Sequence, residues 1–227
     1  MTASGVRARV RAELTKEIAD VARRHLAESG AVGLSLRAVA RELGMASSAV
    51  YRYFPSRDDL LTTLIVDAYD AIGEAVEAAD RAAGPDLMDR WRAACTALRA
   101  WGLAHPHEWA LVYGSPVPGY SAPQTTVASA ARLPLVFVGI IREALAAGTI
   151  TDPGEGSDTT LRTGLNTELG LPETDDSSLG SRAVLVWSSL IGTITFELFG
   201  QFTNVVEDRD RYFAVTTDRL AALVGLA

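Results

Sequence analysis

Cysteine is nearly absent. Cys95 stands alone in 227 residues, so no internal disulfide can staple the chain, and this usage suits a reducing cytosol. The lone thiol reads as a buried bystander, with a reactive or sensing thiol as the other reading. Catalytic signatures are missing as well. There is no G-x-S-x-G elbow, no Gly-rich phosphate loop and no H-E-x-x-H, so no enzyme is expected and no catalytic residue is assigned. Histidine is scarce. His105 and His107 stand beside Glu108 in "HPHE", which is not a zinc spacing and has no cysteine pair to complete it; neither metal nor cofactor is expected. Alternating strand patterns are lacking. The opening "MTASGVRARVRAELTKEIAD" holds no apolar run of signal-peptide length. Only "AVLVWSSLIGTITFELFGQF", Ala183 to Phe202, approaches the roughly 20 apolar residues of a membrane span. It contains Glu197 and is followed by no Lys/Arg cluster, so it reads as a buried helix or a subunit interface, and no membrane partner is expected.

What is present is helical. Alanine and leucine are abundant, and 48% of the residues are hydrophobic against 22% charged, which fits a folded globular chain. Val10, Leu14, Ile18, Val21, Ala22 and Leu26 recur at helical spacing and predict a first helix from about 6 to 29, stopped by Gly30. Ser35 is a natural N-cap for a second helix. Its apolar stripe is Leu36, Val39, Ala40 and Leu43, with Arg37 and Arg41 off the stripe. Gly44 and Met45 turn the chain into a third helix holding "SSAVYRYF". Pro55 ends that helix, Ser56 caps the next, and Asp58 and Asp59 suit its first turn. Long helices are expected at about 57–83, 86–104 and 123–147, the last kinked at Pro134, with a short one at 108–113. Gly148 to Asp176 reads as a mobile loop with one short helix, and helices at about 178–201 and 208–224 close the chain.

Charge is divided unevenly. Residues 1–57 carry ten Lys/Arg and five Asp/Glu, a balance of +5; residues 58–227 carry eleven and twenty-three, a balance of −12; the two sum to the net −7. A basic first quarter on an acidic body points to a polyanionic partner for that quarter alone. Two short helices joined at a glycine turn with a basic surface make a helix-turn-helix. In the third helix Val50 and Phe54, four apart, face inward. Ser47 and Tyr51 share one outer stripe and Ser48 and Arg52 the next. Hydroxyls and a guanidinium are groups that bond phosphate oxygens and base edges.

The stretch "GLSLRAVARELGMASSAVYRYFPSRDDLL" resembles the DNA-binding head of the tetracycline-repressor (TetR-like) family. The order L-R-x-V-A-x-x-L-G, then V-Y-x-Y-F, then S-R-x-x-L-L carries the resemblance over residues 10 to about 65. It implies an all-α fold with a three-helix helix-turn-helix head, 1–54, and a larger helical domain for ligand binding and dimerisation, 55–227. It further implies that Ser35 bonds a backbone phosphate, that Ser47, Ser48 and Arg52 face base edges, that Tyr51 and Tyr53 bond flanking phosphates, and that Arg57 contacts another. Ala46 departs from the family pattern, which begins helix three with a capping side chain, so Ser47 is expected to cap and to be less free for bases. "HEWALVYGSPVPGY" looks like a segment of one subgroup of actinobacterial-type regulators.

The expected protein is thus a cytoplasmic bacterial transcriptional regulator. Its partners would be a double-stranded palindromic operator, a second copy of itself and a mostly apolar small-molecule effector. A repressor is the first reading; an activator of the same family, or a helical adaptor without DNA binding, are the alternatives. Trp101, His105, Trp109, Tyr113, Phe137 and Phe196 are the candidate effector lining, bulky groups with a few polar handles. Trp187, Ile191, Ile194, Phe213 and Leu220 are the candidate dimer interface, as parts of a four-helix bundle.

Overall fold

A computed structural model describes residues 3–150, 161–172 and 178–226. Every regular element among them is helical, apart from turns: α1 Ala3–Gly33, α2 Leu36–Glu42, α3 Ser47–Val50, α4 Arg57–Ala82, α5 Leu87–Ala104, α6 Pro106–Tyr113, α7 Val127–Ala146, α8 Leu165–Leu169, α9 Leu179–Leu198 and α10 Arg209–Leu223. The fold is all-α, as the composition and periodicity imply. Parts of the expected mobile loop, 151–160 and 173–177, lie outside the described residues. Helix α1 breaks at Gly30, whose φ of 67° is left-handed, and resumes for one turn. Helix α7 runs helically through Pro134.

The residues sort into two compact units, one comprising Met1–Tyr69 and His105–Ser129, the other Asp70–Ala104 and Ala130–Ala227. Neither coincides with a division at 54/55, and the apolar packing explains why. In the first unit, Ile18, Val21 and Ala22 of α1, Val39 and Ala40 of α2, and Val50 and Phe54 form one core. Leu60, Leu61 and Leu64 of α4 close it, and Leu111, Val117 and Tyr120 pack against it from the later segment. Cutting at residue 54 would expose those α4 leucines, each contributing about 1.5–3 kcal/mol when buried. The capping of α4 follows its sequence: Ser56 Oγ accepts from Asp59 N–H at 3.1 Å and donates to the Asp59 carboxylate at 2.7 Å, a reciprocal cap.

In the second unit α5 packs against α9 and α10. Trp91 is fully buried, meets Phe137 edge-on at 5.2 Å and donates its indole N–H to the Thr217 carbonyl at 3.0 Å. Cys95 is buried one turn further along, and burial pushes its thiol well above the usual range. That makes thiolate chemistry at neutral pH inaccessible and supports the bystander reading. Arg132 of α7 clasps α4: it chelates Glu77 with two bonds of 2.9 Å and donates to the Asp70 carboxylate at 3.0 Å. Gly73 makes room, since a Cβ there would meet the Arg132 side chain at 2.8 Å.

Candidate nucleic-acid interface and apolar groove

The interface is built around the turn between α2 and α3. Gly44 holds φ +64°, a left-handed conformation that L side chains rarely adopt, and this redirects the chain after α2. The next helix is shorter than the sequence suggests. Only Ser47–Val50 is α-helical. The chain then tightens into bonds three residues apart, Arg52 N–H to Ala49 O at 3.2 Å and Tyr53 N–H to Val50 O at 2.9 Å. Phe54 N–H still reaches Val50 O at 3.0 Å, and Pro55, which disfavours the helical region for the residue before it, prevents any continuation.

Inside and outside are sharply divided. Val50 and Phe54 are buried; Ser47, Ser48, Tyr51 and Arg52 are exposed, and Ser35 and Tyr53 are half-buried. The capping role expected of Ser47 is corrected. Ala46 occupies the N-cap position in an extended conformation with no side-chain bond, and Ser47 is the first helical residue. Ser35 likewise has N-cap geometry without a capping bond. Both hydroxyls are therefore released from capping and available to another acceptor or donor.

Arg57 departs further from expectation. Where α1 breaks and ends, carbonyls are left without helical partners. The Arg57 guanidinium takes them, donating to Ala31 O at 2.7 Å and Leu34 O at 3.2 Å. It ties α4 to the α1–α2 connector. Two arginines given no role by the sequence pattern are more exposed. Arg37 and Arg41, one turn apart on α2, face solvent, and neither they nor Arg52 have a carboxylate partner among the described residues. Their signal was visible as an i, i+4 arginine pair off the buried stripe. Lys16 and Arg24, by contrast, are paired with Asp20 and Glu42. Glu42 also meets His25 Nε2 at 2.6 Å; its carboxyl is held below the usual range first by Arg24 and then by His25. Arg37, Arg41 and Arg52 therefore keep exposed positive charge on the segment from α2 to the end of α3.

The residues of the expected effector lining divide between the two units. His105, Trp109 and Tyr113 belong to the first unit, and Trp101, Phe137 and Phe196 to the second. Trp109 is fully buried against Tyr113, with centroids 4.7 Å apart, and Tyr113 meets Tyr69 edge-on at 6.0 Å. Burial pushes both phenols up. His105 sits at the N-cap position of α6. Phe196 is corrected outright. It is 53% exposed, on the side of α9 away from the core. The second unit instead holds an apolar groove of about 70 Å³, lined by Pro134, Phe137 and Ile141 of α7, Leu169 of α8, and Val184 and Trp187 of α9. Phe137 alone was expected there.

The dimer candidates also sort differently. Ile194, Phe213 and Leu220 are buried within the subunit, where they pack α9 and α10 together, so they cannot face a partner. Ile191 is half-buried. Trp187 is exposed but lines the groove. The outward stripe of α9 is Leu185, Ser188, Gly192, Phe196 and Phe199, directly opposite the buried Val186, Leu190, Ile194 and Glu197 at 100° per residue.

A helix anchored by one face, with hydroxyls, a phenol and a guanidinium on the other, following a glycine turn after a cationic helix, defines a helix-turn-helix DNA-binding protein. Comparison with known proteins agrees. Residues 18–64 match the family described as bacterial regulatory proteins, tetR family, and residues 91–220 match the tetracyclin repressor-like C-terminal domain. The HTH-type transcriptional regulator Rv1816 of Mycobacterium tuberculosis is 38% identical over 97% of this chain and 96% of its own. Mb1846 of Mycobacterium bovis is similar to the same degree. Among solved structures, SCO4313, described as a regulatory protein, superimposes with a TM-score of 0.75 at 37% identity, over 94% of this chain and 98% of its own. A Rhodococcus sp. RHA1 protein of unknown function gives 0.70 at 25%, over 91% and 93%. The chain belongs to the tetR family and is a DNA-binding transcriptional regulator, not an enzyme.

Proposed function

We propose that the protein is a cytoplasmic repressor that binds a palindromic operator as a homodimer and is released by a small, mostly apolar effector. The observation that carries the DNA half of this reading is the outward face of Ser47, Ser48, Tyr51 and Arg52 beside the exposed Arg37 and Arg41. Ser47, Ser48 and Arg52 read base edges, while Ser35, Tyr51 and Tyr53 hold phosphates. Two heads on a two-fold axis require half-sites about one helical turn apart or somewhat more. Selection from random duplexes is the test. It should return an imperfect palindrome, and binding that is equal on all sequences would refute the proposal. Tyr51→Phe should weaken binding on all sequences by about 1–2 kcal/mol, having lost a bond to a charged acceptor. Arg52→Ala should instead relax base preference at one position of each half-site by about 1–3 kcal/mol.

The effector half rests on the groove between α7, α8 and α9. Its lining is hydrocarbon and indole, so the occupant is aromatic or alkyl. Helix α4 gives Arg57–Tyr69 to the first unit and Asp70–Ala82 to the second, and Arg132 of α7 grips it from Asp70 to Glu77, which offers a route by which α7 biases the head. Such coupling typically amounts to about 1–3 kcal/mol, a 5- to 150-fold change in operator affinity. A panel of small aromatic and alkyl compounds should include one that alters Trp187 emission and binds more weakly, by the same factor, when operator is present. Equal binding with and without operator would separate the groove from any switch.

A further inference from the structure

The first turns of α1 present a helix that buries nothing. Every residue from Gly5 to Glu13 is exposed, and the match to the family's DNA-binding domain starts only at residue 18. Helices that pack no face gain little from tertiary burial, so packing does not account for this one. Its composition is basic, with Arg7, Arg9 and Arg11 against the single Glu13. One of the three arginines fixes its direction. Arg11 donates from Nη2 to the Arg52 carbonyl at 3.1 Å, and its guanidinium lies 5.3 Å from the centre of the Tyr53 ring. Both interactions are with the segment that follows α3, so this side of α1 adjoins the DNA-reading surface. Arg7 lies four residues earlier, on the same stripe and about 6 Å further along the axis.

We propose that this exposed part of α1 is a second DNA-contacting element, in which Arg7 and Arg11 bind phosphates flanking the half-site while Arg11 also positions Arg52 and Tyr53. The proposal rests on the DNA-binding reading of the α3 face and extends it beyond the helix-turn-helix itself. Two observations commit the surface to DNA. Its charge is complementary to phosphate, and it is continuous, through Arg11, with the face that enters the groove. Arginine suits the task, because its planar fork matches phosphate oxygens in pairs.

The test is fluorescence anisotropy of the full chain with a labelled mixed-sequence duplex of about 30 base pairs, over a range of salt. Arg7→Gln should lower the slope of log K against log salt by about 0.9 for each phosphate that is no longer neutralised. It should weaken binding several-fold at low salt, with the difference shrinking as salt rises. Its helical content and melting temperature should match wild type, since Arg7 is exposed. Arg11→Lys keeps the charge but not the fork; it should retain the slope and lose base preference through Arg52, as read by competition with the selected palindrome. An unchanged slope in Arg7→Gln overturns the proposal. Anionic vesicles of phosphatidylserine and phosphatidylcholine form the other arm: vesicle binding lost in Arg7→Gln, with the DNA slope intact, would assign the surface to membranes and overturn it too. Arg52→Ala separates the two readings. If it relaxes base preference on the selected palindrome while Arg7→Gln leaves the salt slope unchanged, only the α1 element fails. If neither variant has its effect, the α3 face is misread.

Discussion

Phe196→Glu is expected to turn the proposed homodimer into a 24.1 kDa monomer and to cut affinity for a palindromic duplex by about 10²- to 10⁴-fold, the avidity that joining two heads supplies. Helix α9 has the length and apolarity of a membrane span yet leaves much of its hydrocarbon outside the subunit core. Leu185 is 50% exposed and Phe196 53%, with Phe199 nearby. Between them Gly192 opens the stripe, since a Cβ built there would touch nothing within 4 Å. Helix α10, packed against α9, adds Tyr212 and Val215, also exposed. Two helices per subunit, each with a face directed away from the core, fit an isologous four-helix bundle.

Two-fold symmetry doubles the consequence of a single change. Each Phe196 or Leu185 removed from water contributes about 1.5–3 kcal/mol. A carboxylate at position 196 would remove that gain twice and bring two desolvated charges into one interface. Light scattering should show monomers at micromolar concentration, and binding to an isolated half-site should be unchanged. Leu185→Glu, on the same stripe, should behave alike, whereas Arg219→Glu should be milder because that side chain is already charged. A Phe196→Glu protein that remained dimeric would move the interface away from α9, and a monomeric wild type would refute the dimer itself.

How much of this was legible beforehand differs from element to element. Leu36, Val39 and Ala40, the turn at Gly44, and the inward Val50 and Phe54 could all be read, because each depends on spacing within one or two turns. The fate of Arg57 could not. Its partners are carbonyls 23 and 26 residues earlier, at a helix end whose exact geometry no pattern encodes. Helix α9 was opaque for another reason. Its residues are apolar nearly all round, so periodicity does not tell Ile194, fully buried, from Phe196, which faces out. Nor does sequence proximity around α5 and α6 tell which unit an aromatic residue joins: Trp101 belongs to one and Trp109 to the other. The single acidic residue in α9, Glu197, marks the inward face, but only a partner nearly a hundred residues away explains how.

That partner gives the largest expected effect on stability. Arg99→Met should destabilise the protein by about 3–5 kcal/mol, the cost of leaving a buried charge without its counterion. At about 2–4 °C per kcal/mol for a chain of this size, the melting temperature should fall by roughly 6–20 °C. The Glu197 side chain is only 6% exposed and receives two bonds of 2.7 Å from Arg99, one from Nε and one from Nη2. Arg99 is held in turn by Asp210 at 2.7 Å and by the Phe213 ring, 5.1 Å away, so α5, α9 and α10 converge on one guanidinium. Methionine keeps the apolar stem and removes the charge, which isolates the electrostatic loss from a packing loss. A double variant, Arg99→Met with Glu197→Leu, should recover most of the stability, because replacing a whole buried pair with hydrocarbon is often neutral or better. The cycle of single and double variants, read by reversible denaturant unfolding, yields the coupling directly. If Arg99→Met alone cost less than about 1 kcal/mol, the Glu197 carboxylate would have to be solvated in spite of its burial, and the junction of the three helices would be wetter and looser than its geometry implies.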